Sequence, residues 1–138
     1  MCAKFTEKNF AENFMIMKLP FRKEFGNEGE ALAKKFLKKK GLKFIEKNFV
    51  YHKKEIDLIF LDKKKNILVF VEVKSRHNTK YGLPEDSIHY FKQKNIKFAA
   101  EGYLLIHPEY RGFDIRMDSV SVLIENSKTT INHIENSF

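Results

Sequence analysis

Apolar residues recur three and four apart between residues 27 and 40, at Leu32, Ala33, Phe36 and Leu37, and this spacing predicts a helix. Asn27 stands where an N-cap belongs, Lys38, Lys39 and Lys40 suit the negative end of the helix dipole, and Gly41 suits a C-terminal stop. The period then shortens. Residues 42–49 (LKFIEKNF), 55–62 (EIDLIFLD) and 67–76 (ILVFVEVKSR) read as three strands, and their short connections make them an antiparallel meander. Side chains alternate across a strand, so Glu55, Asp57 and Ile59 are expected on one face and Ile56, Leu58 and Phe60 on the other. By the same rule Phe70, Glu72 and Lys74 point together, opposite Val71 and Val73.

A polar loop follows at 77–84, and a second helix is predicted from Glu85 to Ile106, with Ile88, Phe91, Asn95, Phe98, Ala99, Gly102 and Tyr103 along its apolar stripe. Residues 113–125 (FDIRMDSVSVLIE) predict a fourth strand, which lies parallel to a neighbour because a helix connects them. Residues 1–20 lack clear periodicity and read as an N-terminal extension, with Met17 a candidate native start. The domain proper is expected over 21–125, and 126–138 reads as a tail that adds a short strand or frays. The order α-β-β-β-α-β defines an α/β class with a mixed sheet and helices packed on it.

Composition narrows the setting. One domain accounts for 138 residues, and a hydrophobic share of 43% is enough for one core. No apolar run approaches the roughly 20 residues of a membrane span, and the first residues lack the continuous apolar stretch of a secretory signal. A single cysteine, Cys2, excludes an internal disulfide and a cysteine-based zinc cluster, so a reducing, cytoplasmic location is expected. The 26 Lys and Arg outnumber 18 Asp and Glu, for a net charge of +8, which favours polyanionic partners, nucleic acid first.

The acidic residues inside apolar strands raise the chemical question. If the second and third strands pair, Asp57 falls near Glu72, with Lys74 adjacent. Two ionised carboxylates at close range repel unless a cation intervenes, and that cation is either Lys74 or a divalent metal. Glu72 and Lys74 alone would be an ordinary exposed ion pair, which stabilises by only ~0–1 kcal/mol. Asp57, then fifteen residues later Glu72-x-Lys74, is instead the signature of metal-dependent phosphodiester cleavage. The carboxylates hold Mg²⁺ against a phosphate oxygen, the ion acidifies water, and the lysine orients that water and offsets developing negative charge. Glu30 is a third acid on the sheet-facing side of the first helix; with Asn27 it also resembles a capping box, and both roles stay open. Lys80 and Arg76 flank the loop after the third strand, where they grip phosphate or are simply solvated. The histidines (His52, His77, His89, His107, His133) show no metal-ligand spacing and are expected mostly at the surface or in loops. Neither a glycine-rich phosphate loop nor a nucleophile elbow is present, which removes kinase, ATPase and serine-hydrolase readings.

Five blocks in order, GNEGEALAKKFLKKKGLKFIEKNF, EIDLIF, LVFVEVKSR, Lys92 to Ala99, and IRMDSVSV, resemble the YraN-like family across about residues 26–124. That family belongs to the PD-(D/E)XK, restriction-endonuclease-like superfamily and is related in fold to archaeal Holliday-junction resolvases. The resemblance implies a restriction-endonuclease-like core with Asp57, Glu72 and Lys74 as the nuclease centre, Glu30 as the helix acid, and Lys92 facing the phosphate backbone. It further implies Mg²⁺ or Mn²⁺ as cofactor, DNA, including branched or damaged DNA, as substrate, and a homodimer as the working state. Two positions depart from the family pattern: Lys54 replaces the glycine of Gly-Glu-Ile-Asp, and Arg-Phe-Asp becomes Arg116-Met117-Asp118. A nucleic-acid-binding module that keeps the fold without cleaving is the alternative, and an interaction protein using a sheet edge or basic face is a third reading.

Overall fold

The computed structural model describes residues 26–78, 80 and 89–138. Helix α1 covers 26–39. Strands β1 (Lys43–Tyr51), β2 (Lys54–Asp62) and β3 (Ile67–Arg76) follow, then helix α2 (Tyr90–Ile106), a 3₁₀ turn (Pro108–Tyr110), β4 (Asp114–Glu125) and β5 (Lys128–Ile134). The protein is α/β, and its order is consistent with a restriction-endonuclease-like α-β-β-β-α-β core. The five strands form one sheet in sequence order, β1-β2-β3-β4-β5. The β1–β2, β2–β3 and β4–β5 pairs are antiparallel, whereas β4 returns through α2 to lie parallel to β3. The predicted extension at 1–20 and the residues 81–88 lie outside the described residues.

Each face of the sheet buries its own core beneath one helix. Ala33 and Leu37 of α1 pack with Leu58, Phe60, Val69, Val71, Val120 and Val122. On the other face Ile96, Ala99, Ala100 and Tyr103 of α2 pack with Phe49, Ile56, Ile59, Leu68 and Phe70. Tyr103 meets Phe49 and Phe70 edge-on, with centroids 4.9 and 5.8 Å apart. The sheet buried on both sides explains why β3 reads as a nearly continuous apolar run.

Three expectations are corrected. Asn27 is not an N-cap, because residues 26 and 27 already lie within the helix, so the capping-box arrangement with Glu30 does not form. Ile56 joins the cluster of Ile59 rather than that of Leu58, because the alternation breaks where Asn48, opposite this stretch on β1, takes a left-handed backbone (φ 52°). The apolar stripe of α2 is turned: Phe91 and Phe98 are exposed, and Ile96 and Ala100 are buried in their place. A helix with apolar rows on two sides does not declare which one faces the sheet. The histidines lie mostly in turns or at helix ends, as expected, whereas the His133 side chain, in β5, is 2% exposed. Residues 128–134 of the expected tail form an edge strand, with side chains that are mostly polar and exposed. At the opposite edge, β1 carries an irregularity between Phe44 and Glu46.

The turn joining β1 to β2 is tight. His52 and Lys53 both have positive φ, at 45° and 64°, as a two-residue hairpin turn requires. Lys54, the departure from the family pattern, therefore lies past the turn as the first residue of β2.

Candidate active site

The backbone pairing of β2 with β3 runs from Asp62↔Ile67 to Leu58↔Val71 and goes no further. β3 continues beside β4 as far as Arg76↔Leu123, so the sheet forks after Val71. The Val73 N–H would lose its partner at the fork. Asp57 Oδ2 accepts it instead, at 2.8 Å, which holds the Asp57 carboxylate in the opening. Glu72 follows Phe70 on the α2 side and is 2% exposed. Its Oε1 lies 3.5 Å from Lys74 Nζ and 3.3 Å from Lys92 Nζ of α2. Its Oε2 is buried and has no hydrogen-bond donor among the described residues.

The Asp57 and Glu72 carboxylates are close enough for the charge of one to act on the other. Burial first, and the Glu72 charge second, push the Asp57 pKa well above the usual carboxylate range, and the Val73 N–H only partly offsets them. Such a pair is satisfied by a shared proton or by a cation. The donor set fits a divalent ion: two hard oxygen donors from neighbouring strands, one of them lacking any other partner. Asp57 and Glu72 are thus the residues that would hold Mg²⁺ or Mn²⁺. No group of three His, Cys, Asp or Glu side chains arranged to enclose a metal occurs among the described residues.

Glu30 stands apart from this pair, on the α1 side. Burial, the neighbouring Glu55 charge and, more weakly, Glu72 raise its pKa, while Lys47 opposes them. The Asn48 amide, oriented to donate, bridges Glu30 Oε2 at 3.1 Å and Glu55 Oε1 at 3.3 Å. A cavity of about 390 Å³ opens here, with Glu30, Lys34, Lys47 and Asn48 in its walls. Gly29 lets α1 approach β3 closely, because a Cβ at that position would overlap the Ser75 side chain. Arg76 is half-buried at the end of β3, and Lys80 is exposed, its N–H donating to Asn78 Oδ1 at 3.1 Å. Asp57, Glu72, Lys74 and Lys92 thus come together, with Glu30 behind them and Arg76 and Lys80 farther along the same exit from β3. Lys92 meets Glu72 rather than standing clear at the surface, because it falls on the buried side of α2, four residues before Ile96.

A second polar cluster escaped the sequence reading. Arg116 grips Asp118 through two bonds, of 2.8 and 2.9 Å. His133 Nε2 lies 2.7 Å from Asp118 Oδ2, and Lys40 Nζ lies 2.9 Å from His133 Nδ1. A charged Lys40 donates to Nδ1, so the ring proton sits on Nε2 and points at Asp118. Burial alone would raise the Asp118 pKa, but its bonds to His133 and Arg116 outweigh burial and hold it low. The cluster ties α1, β4 and β5 together. The Arg116-x-Asp118 spacing on one strand face was its only visible signal.

Fold and fork together define a restriction-endonuclease-like α/β domain with a carboxylate pair at the split between its middle strands. Residues 29–122 match the model of the family described as "Uncharacterised protein family UPF0102", and the chain belongs to that family, to which the YraN-like resemblance pointed. It is similar to a UPF0102 protein of Syntrophomonas wolfei, 45% identical over 116 residues that cover 84% of this chain and 98% of that one. A UPF0102 protein of Chloroherpeton thalassium is 42% identical over 104 residues, 75% of this chain and 78% of the relative. One of Clostridium perfringens is 39% identical over 120 residues, covering 86% and 96%. The matched span holds Glu30, Asp57, Glu72, Lys74 and Lys92. No helix among the described residues is long and apolar enough to cross a membrane.

Proposed function

We propose that this protein is a Mg²⁺- or Mn²⁺-dependent endonuclease that hydrolyses phosphodiester bonds in DNA, with branched or damaged DNA among the candidate substrates. The reading rests on one observation: the half-buried Asp57 and the buried Glu72 carboxylates meet at the strand fork beside the Lys74 ammonium. A divalent ion bound to the pair would supply Lewis acidity toward the scissile phosphate and water. Asp57 and Glu72 hold their oxygens in place through the Val73 N–H and the packing of β3. Lys74 orients the attacking water and balances the charge that builds on the phosphate oxygens. Lys92 is a positioning residue that fixes Glu72 Oε1, and Arg76 and Lys80 carry the backbone of the substrate. The net charge of +8 supports a polyanionic substrate.

A second reading has its own support. Glu72 is already flanked by two ammonium groups, and a carboxylate neutralised in this way also suits a module that binds nucleic acid without cutting it. A screen of single-stranded, duplex, flap and four-way DNA with Mg²⁺ or Mn²⁺ separates the two. The nuclease reading expects cleavage that Asp57→Ala and Lys74→Ala abolish while DNA binding survives. Wild-type protein that binds these substrates and cuts none of them with either metal overturns it in favour of the binding module.

A further inference from the structure

The side of α2 turned away from the sheet carries an apolar row that the fold leaves outside. Phe91, Phe98 and Leu105 are seven residues apart, so each falls within about 20° of the next around the helix. Phe91 and Leu105 are each 77% exposed and Phe98 is 45% exposed. Tyr90 and Ile106, at the two ends of α2, are also exposed. Lys94 and Glu101 run along one flank of the row, likewise seven residues apart and exposed. The row is held in place: the Phe98 ring lies against Tyr51 and His52 of the hairpin turn, at 5.6 and 6.1 Å between centroids. A contiguous exposed apolar row on a rigid element marks an interaction surface.

The groups along the row are self-complementary. Phe98 sits at its centre. A second copy of α2, turned end over end about an axis through Phe98, sets Phe91 against Leu105 and Lys94 against Glu101. Apolar meets apolar and cation meets anion at both ends, which an isologous two-fold interface requires. A two-fold axis parallel to the helices would instead carry the Lys94/Glu101 flanks to opposite sides of the contact and pair neither charge, so only the antiparallel arrangement uses both.

We infer that two copies of this chain associate through the outer face of α2, antiparallel, about a two-fold axis that passes Phe98. The inference is independent of the proposed nuclease activity. Sedimentation of the full chain between about 1 and 100 µM tests it, with wild type, F98E, K94E, E101K and K94E/E101K compared. Wild type is expected to shift from monomer to dimer across that range, and F98E to remain a monomer. Each single reversal places like charges opposite each other twice and should weaken association about tenfold or more, whereas the double reversal restores it. The charge variants lie on an exposed flank, so they report on association even should F98E fold poorly. Wild type that stays monomeric throughout overturns the inference and leaves the row to residues 1–25 or a different partner. A dimer indifferent to the single reversals overturns it as well.

Discussion

Lys92 Nζ lies 3.3 Å from Glu72 Oε1, so the helix that leaves the sheet after β3 returns a positive charge to the acid β3 carries inward. Lys74 Nζ reaches the same oxygen at 3.5 Å, from two positions along the strand. Removing either lysine leaves Glu72 with one ammonium partner. Lys74→Met and Lys92→Met are each expected to lower stability by about 1–2 kcal/mol, measured by denaturant unfolding. Cleavage should separate them. Lys74→Met is expected to lose about 10²–10³-fold in rate, while Lys92→Met keeps measurable turnover, because Lys92 acts only through Glu72.

Asp57 is held among opposing demands, and relieving them should stabilise the fold at the expense of the site. Asp57→Asn keeps an acceptor for the Val73 N–H, removes the repulsion with Glu72 and lets the amide donate to Glu72. A gain of about 1 kcal/mol, or roughly 3–6 °C in melting temperature, is expected for a domain of this size. Mg²⁺ or Mn²⁺ at about a hundredfold excess over its Kd should stabilise wild type by about 2.7 kcal/mol without any DNA. The same addition to Asp57→Asn or Glu72→Gln should do little. Calorimetry of the three proteins, with and without metal, reads both effects.

The Asp118 cluster governs acid stability. The folded state holds the Asp118 pKa below its unfolded value of ~3.9. Its stabilisation is therefore fully present above about pH 4 and is lost as pH falls through the folded value, because the unfolded chain takes up the proton first. Asp118→Asn should flatten the acid limb of a stability-versus-pH curve below about pH 4. At neutral pH, Asp118→Ala leaves the Arg116 guanidinium buried without its carboxylate and is expected to cost about 3–5 kcal/mol.

Gly102 is the place where α2 meets the hairpin turn. A Cβ at that position would overlap the Tyr51 ring. Gly102→Ala is expected to destabilise by about 1–3 kcal/mol, although alanine is the better helix former. A thermal melt that shows the variant as stable as wild type would mean that the ring swings aside freely.

The elements differ in how much of them the sequence declares. β3 is legible to the residue because ILVFVEVKSR is apolar on both sides and bounded by a lysine-rich turn. The closeness of Asp57 and Glu72 follows from one hairpin register, a local inference. Lys92 reaches Glu72 only when the rotation of α2 is known, and two apolar rows on that helix leave the rotation undetermined from periodicity. Asn48 escapes because asparagine tolerates a left-handed backbone without requiring one, so KNFVY still reads as an unbroken strand. His133 escapes because its partners, Lys40 and Asp118, come from segments 93 and 15 residues away, and only tertiary structure joins them.

The two rims of the sheet bear on how the protein behaves in concentrated solution. β1 is kinked by its Phe44/Glu46 irregularity and by Asn48, and β5 presents lysine, threonine and asparagine. Neither offers the long, flat, greasy template that invites strand-by-strand fibre growth. Growth strand by strand is thus discouraged at both rims, and the two-copy contact proposed for the outer face of α2 would end with its second partner.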